Sequence, residues 1–279
     1  MFKIIVCIKQ VPMVSELPWD SKTGTLKREL AQGMMDPASR RALEAALQIK
    51  EDRDDTHITV ISMGPAMARE ILYEAKALGA DTGVLLSDRR MAGADTFLTS
   101  FILAEYIKKE CPDFDLLLCG SQTSDSETAQ VGPQLAGELL IPAMGYVQSI
   151  ELANGMVRVQ RHVDDFMEVL EMDLPGLLTI DQAAFGPRYV ALEGIERAFQ
   201  TDDICVVNAE DLGLDKNFNA LKDSPTRIID VYSPATRKEN LVLKGAVKKV
   251  VGQLFDDYGK IISGAMGKDL KTHEHEGAK

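Results

Sequence analysis

The chain reads as an α/β protein on a doubly wound, mostly parallel Rossmann-like sheet. An antiparallel extension and a C-terminal arm complete the expected fold. Three observations predict it. Short, near-continuous apolar runs recur at 3–8 (KIIVCI), 58–63 (ITVISM), 83–87 (GVLLS) and 115–120 (DLLLCG), as strands buried on both faces require. Between them SRRALEAALQIKE (39–51), AMAREILYEAKALGA (66–80) and DTFLTSFILAEYIKKE (95–110) repeat apolar residues at three- and four-residue spacing, the stripe of an amphipathic helix. Strand and helix alternate, so right-handed crossovers set the loops that follow the strands along one edge.

The connection from 9 to 38 is long for a compact domain. Within it Ser21-Lys22-Thr23-Gly24 predicts the turn of a small hairpin, and Trp19, the only tryptophan, is expected to pack that flap down. Asp36 and Pro37 read as the N-cap and first residue of the first helix. Met63-Gly64-Pro65 is again a turn with proline at a helix start. Ser126 or Thr128 is expected to cap a helix running to about Leu140. After Pro142 the texture changes: YVQSIELANGMVRVQRH flanks Asn154-Gly155, a type I′ hairpin signal because both turn residues need positive φ. FMEVLEMDLPGLLTI continues as two more strands, so antiparallel strands extend or flank the sheet. From about Gly186 the chain is loop-rich and charged, with one further helix near Ala246–Tyr258. Residues 1–232 are therefore expected to form the α/β nucleotide-binding domain. Residues 233–279 are expected to form an arm with little core of its own, packing on a partner subunit.

Of the 279 residues, 45% are hydrophobic and 27% charged, with a formal net charge of -12. That balance fits a soluble globular protein and argues against nucleic acid, whose phosphates need clustered lysine and arginine. No run approaches the length of a membrane span, and MFKIIVCIKQ reads as a first strand rather than a signal peptide. Cys7, Cys111, Cys119 and Cys205 are scattered without a C-x-x-C pair, which fits reduced thiols in a cytoplasmic protein and gives no metal site. The tail THEHEGAK reads as a solvated end.

In open α/β sheets ligands bind beyond the carboxyl ends of the strands. Four loops qualify: Cys7-Ile8-Lys9-Gln10, Met35-Asp36-Pro37-Ala38, Met63-Gly64-Pro65, and the polar stretch after LLLCG that runs from Ser121 to Gln134. Together they predict a nucleotide-sized pocket. Cys7 and Met63-Gly64 would let a flat base approach, Asp36 would accept from a ribose or base donor, and the hydroxyls and amides of the polar stretch would hold phosphate. The same residues also serve as ordinary helix caps in many folds. No Ser/His/Asp set, paired acids or HExxH occurs, so no catalytic residue is assigned.

The sequence resembles the β subunit of an electron-transfer flavoprotein over nearly its whole length. The resemblance is carried by VCIKQVP at 6–12, Asp-Pro at 36–37, ALEAALQIKE, SMGPA at 62–66, ALGAD at 77–81 and GADTFLTS at 93–100. Its most specific part is Gln122-x-x-Asp125-x-x-Thr128-Ala129-Gln130-Val131-Gly132-Pro133-Gln134. The resemblance implies a heterodimer with an α subunit that carries an FAD. It further implies that Cys7, Asp36, Met63, Gln122, Ser124, Asp125, Ser126, Thr128, Ala129, Gln130, Val131, Gly132, Pro133, Gln134 and Leu135 bind a second cofactor. In most such subunits that cofactor is AMP, a structural ligand. In an electron-bifurcating branch it is FAD, which takes a hydride from NADH. One electron then goes to ferredoxin or flavodoxin, the other through the α-subunit flavin to an acyl-CoA dehydrogenase. The segment Thr128–Pro133 resembles that second branch, and the side-chain-free Gly132 would leave room for a longer diphosphate. PRYVALEGI at 187–195 resembles the family's recognition loop, about 184–199, with Leu192 the docking anchor beside Tyr189 and Ile195. The chain departs from the family pattern at Ser121, where a basic residue is usual, and at Met13, Tyr73 and Asp125-Ser126-Glu127.

Overall fold

The structure is a computed structural model that describes residues 1–13, 19–20, 25–26, 33–153, 155–200, 203–227, 229 and 241–273. The chain divides into two compact units, Met1–Arg227 and Ile228–Lys279.

The first unit opens with β1 (Phe2–Cys7), β2 (Gln10–Pro12), the short β3 (Trp19–Asp20) and β4 (Thr25–Leu26), and β5 (Gly33–Met35). Helix α1 (Pro37–Asp52), β6 (Thr56–Met63), α2 (Arg69–Leu78), β7 (Thr82–Leu86), α3 (Thr96–Glu110) and β8 (Leu116–Gly120) follow. Then come α4 (Val131–Leu139), β9 (Ala143–Val147), β10 (Ser149–Ala153), β11 (Met156–Val163), β12 (Phe166–Asp173), β13 (Gly176–Ile180), α5 (Leu192–Gln200), β14 (Cys205–Val207) and α6 (Ala220–Asp223). Among the described residues seven strands form one sheet, in the order β14-β7-β6-β1-β8-β13-β9, and all their pairings are parallel. The chain steps outward from β1 through β6 to β7, then returns to place β8 on the other side of β1. The switch in strand order therefore lies between β1 and β8.

Alternate residues of the buried strands feed two cores. Ile4, Val6, Leu116 and Leu118 join Leu43 and Leu72 of α1 and α2 on one face. Ile5, Leu117 and Cys119 join Ile102 and Leu135 of α3 and α4 on the other. All four predicted strands and the helices between them are present. The second helix is shorter than its periodicity predicts: Pro65 caps a single 3-10 turn at Ala66–Ala68, and the α-helix begins at Arg69.

Two expectations are corrected, and of the two arrangements open to the antiparallel strands the flanking one is found. GLLTI does not run antiparallel but inserts as β13 between β8 and β9. An apolar run reads the same in either direction, so its sequence carries no sign of which it will be. The antiparallel strands form a separate sheet, β10-β11-β12, whose inner residues Val157, Val159 and Met172 join the α1–α2 core. The stretch after Gly186 is not merely loop, since α5 and the edge strand β14 lie within it. The predicted hairpins are found. β3 pairs with β4, and Ala153 opposite Met156 leaves a two-residue connection in which Gly155 takes φ +81°. The side chain of Trp19 and residues 21–24 lie outside the described residues, as does Asn154.

The second unit contains α7 (Val247–His273), longer than the predicted Ala246–Tyr258. Among its residues with described side chains none is buried. Val247, Val251, Leu254, Tyr258 and Ile261 recur along it at three- and four-residue spacing, all exposed. Among the described residues no helix is long and apolar enough to cross a membrane.

Candidate functional site

The carboxyl ends of β1 and β8 meet in register, Cys7 beside Cys119, and two helix starts converge on them from opposite faces. On one face Asp36 caps α1. Its Oδ2 accepts from the backbone N–H of Ala38 at 3.0 Å and of Ser39 at 3.1 Å. Its Oδ1 accepts from the N–H of Ser124 at 2.8 Å. The cap is therefore also the anchor of the loop after β8. Asp36 is fully buried, and its oxygens already serve three backbone donors, so its part at the site is to shape the loop. Ser39 reinforces the arrangement by accepting from the N–H of Lys9 at 3.2 Å.

Gly120 makes this close approach possible. A Cβ there would lie 2.7 Å from the carbonyl carbon and the Cβ of Ala38, so only glycine lets the first turn of α1 press on the end of β8.

On the other face α4 begins at Val131 with Gln130 at the cap position, and no side chain caps it. The expectation that Ser126 or Thr128 would do so is corrected. Ser126 Oγ instead meets Thr123 Oγ1 at 2.9 Å, because the loop turns through positive φ at Glu127 (51°) and Ala129 (54°) and carries both hydroxyls away from the helix start. The N–H groups of Thr128, Ala129 and Gln130 have no acceptor among the described residues. Those of Val131 and Gly132, in the first turn, have no intrahelical partner. A run of consecutive amides, at the positive end of a helix dipole, is a receptor for an anion. Gln134 adds a side-chain Oε1 that is buried and unpartnered.

Gly132 has a different reason from the one expected. A Cβ there would lie 2.7 Å from Thr179 Cγ2 and 3.4 Å from Cys119 Sγ. Its missing side chain lets α4 cross tightly over the sheet; the space gained is not on the loop side. Leu135 likewise turns into the core, whereas Gln122 and Thr123 are half-buried and Ser124, Asp125, Ser126 and Thr128 line the exposed rim. Pro133 is exposed, and Met63 is half-buried at the end of β6.

Lys9, in the first of the four candidate loops but given no role there, brings a cation to the loop after β8. Its Nζ lies 2.7 Å from each carboxylate oxygen of Asp125. Burial raises the Asp125 carboxyl, but hydrogen bonds from Lys9 and Thr123 outweigh it and hold the group below the usual range. The charge absent at Ser121, itself buried with its N–H on the Ile180 carbonyl, thus arrives from the first loop. A lysine two residues beyond a strand end, on the ligand-facing edge, was the available signal. Beneath the loop, burial pushes the Cys7 thiol up to about 12. It also raises Cys119, helped by the neighbouring Cys7, so both remain neutral thiols.

This geometry, a doubly wound parallel sheet with an anion-receiving helix start at its switch point, is shared by many nucleotide-binding folds. The comparison with known proteins decides among them: residues 23–211 match the electron transfer flavoprotein domain. This chain belongs to the electron transfer flavoprotein family. The electron transfer flavoprotein subunit beta of Thermoanaerobacterium thermosaccharolyticum is 40% identical over 253 residues, covering 91% of this chain and 96% of that protein. The caffeyl-CoA reductase-Etf complex subunit CarD of Acetobacterium woodii is 42% identical over 253 residues, 90% and 96% of the two chains. The acryloyl-CoA reductase electron transfer subunit gamma of Anaerotignum propionicum is 36% identical over 260 residues, 91% and 97%.

In this member of the electron transfer flavoprotein family, the segment that resembles the recognition loop is a short irregular run leading into the first residues of α5. Tyr189 and Leu192 are 96% and 78% exposed, and Ile195 is exposed beside them. Gly194 seats α5 on α2, since a Cβ there would lie 2.2 Å from the Ala77 carbonyl oxygen, and Phe199 stacks on Tyr73 with ring centroids 5.0 Å apart.

Proposed function

We propose that this chain is the β subunit of a heterodimeric electron-transfer flavoprotein that binds FAD at the carboxyl end of its sheet. On this reading it carries electrons by flavin-based bifurcation from NADH to a low-potential acceptor, ferredoxin or flavodoxin, and to an acyl-CoA dehydrogenase. The observation that carries the reading is the run of unclaimed amides from Thr128 to Gly132. Five consecutive donors suit a diphosphate, and the orphaned Gln134 oxygen suits a ligand that brings a donor of its own. FAD supplies the redox chemistry when bound. The protein's residues bind, orient and tune. The amides would hold the diphosphate, and Lys9 would share its charge between Asp125 and that anion. The neutral thiols of Cys7 and Cys119 floor the site without placing a charge there.

The relatives named for a caffeyl-CoA reductase complex and for acryloyl-CoA reductase electron transfer support an acyl-CoA dehydrogenase as partner. Tyr189, Leu192 and Ile195 would form the docking surface for it. The exposed apolar stripe of α7 would pack on the α subunit.

The test is to co-express the chain with its α subunit and count flavins and nucleotides per heterodimer after gentle purification. Two FAD per heterodimer support the reading. One FAD with one AMP overturns the bifurcating part and makes this a subunit whose nucleotide is structural.

A further inference from the structure

The backbone around the docking residues is held by an elaborate set of side chains from α1. Arg41 Nη1 donates to the carbonyls of Ala184 and Phe185, each at 3.1 Å. Arg40 Nη2 donates to the carbonyl of Arg188 at 3.3 Å. Glu44 takes Arg188 in a two-point grip: Oε2 accepts from Nε at 2.9 Å and from the backbone N–H at 3.2 Å, while Oε1 accepts from Nη2 at 2.9 Å. Glu51 takes the remaining arm, Nη1, at 2.6 Å. Glu44 is only 5% exposed. Burial by itself would raise its carboxyl, yet the hydrogen bonds from Arg188 and Gln48 hold it below the usual range. The same bonds keep the Arg188 guanidinium protonated more firmly than a free arginine.

A forked, charge-assisted pair of this kind fixes direction as well as distance. The residue next to Arg188 is Tyr189, and Leu192 follows within the same turn of chain. Neither packs against its own unit, so nothing in these side chains holds them in place.

We propose that Glu44 and Arg188 are positioning residues for docking: the fork between the buried Glu44 and the half-buried Arg188 preforms residues 188–195 on α1, so that a partner meets a rigid apolar platform. This rests on the reading that Tyr189, Leu192 and Ile195 dock an acyl-CoA dehydrogenase. Ordering such a segment at the moment of binding would weaken association, and a mount fixed beforehand removes that cost. Neither residue reaches the loop at 121–130, so the fork serves docking and not nucleotide binding.

The experiment uses the nucleotide-loaded heterodimer and butyryl-CoA dehydrogenase as probe, once the wild type is shown to exchange electrons with it. Arg188→Lys and Glu44→Gln are each expected to raise the KM for the dehydrogenase about tenfold. Saturating kcat and bound nucleotide should stay at wild-type values, while amide exchange over 188–195 speeds up. Glu44→Gln keeps the side chain's shape and one acceptor, so it decides the matter if Arg188→Lys fails to fold. An unchanged KM in both variants, with Leu192→Ala raising it, overturns the positioning role and leaves the docking reading intact. A Leu192→Ala variant with wild-type KM overturns the docking reading and this inference with it. If kcat and nucleotide content fall in step with the rise in KM, the fork is a general structural tie and the inference fails.

Discussion

Residues 121–130 and residues 184–191 are both irregular backbone hung on α1, the first from its cap at Asp36, the second from side chains between Arg40 and Glu51. They treat their polar groups in opposite ways. In the loop after β8 one anchor, Asp36 to Ser124, sets the path, and the amides that follow are left without acceptors. Before α5 the carbonyls of Ala184, Phe185 and Arg188 and the N–H of Arg188 are all taken by α1. What that segment offers outward is apolar. One helix thus mounts two surfaces, one offering a run of amides and the other offering apolar side chains.

The contrast can be broken from either side. Asp36→Ala should have the largest effect. Losing the cap costs about 1–2 kcal/mol, and leaving the Ser124 N–H without a partner adds about 1–3 kcal/mol. A lowered denaturation midpoint and loss of bound nucleotide would both be read, with docking through 188–195 retained. Gly194→Ala comes next. Forcing α5 off the Ala77 carbonyl costs about 1–3 kcal/mol as overpacking, and here nucleotide should be retained while dehydrogenase affinity falls.

Acid titration sharpens the comparison further. The Glu44 carboxyl is depressed in the folded chain, so its stabilisation is present above the unfolded pKa of about 4.3 and is lost as pH falls through the lower folded value. Protection of the 184–195 amides against exchange, relative to the free-amide rate at each pH, should therefore hold steady down to pH 5 and fall only at more acidic pH. Lys9→Gln is the smallest in stability, under about 1 kcal/mol for an exposed ion pair. Its effect should show instead as weaker retention of nucleotide at high salt, measured by dialysis of the heterodimer.

Much of the first surface was legible in the sequence. LLLCG ends a buried strand, Asp36-Pro37 is a cap with proline behind it, and both stand where written. The second surface was less so. Glu44 and Arg188 are 144 residues apart, and no local pattern marks a buried acid in ALEAALQIKE as the partner of an arginine in PRYVALEGI. A separation of 116 residues likewise hid the pairing of Lys9 with Asp125. Helix α5 was missed although Leu192, Ile195 and Phe199 carry helical spacing, because the charged residues around them read as loop. Gly132 was noticed for the wrong reason: a missing side chain can serve a ligand or a neighbouring strand, and sequence alone does not say which.

The two thiols at the ends of β1 and β8 have a practical consequence for chemical labelling. Burial pushes the Cys7 thiol up to about 12, so little of it is thiolate at neutral pH, and thiolate is the form that alkylating reagents attack. Burial also raises Cys119, beside Cys7, well above the usual thiol range, and it raises Cys111. Cys205, exposed on the edge strand β14, is then the position where a maleimide dye settles on the wild-type protein. That places a fluorescent reporter three strands from β1 without any substitution, leaving the carboxyl ends of β1 and β8 chemically untouched.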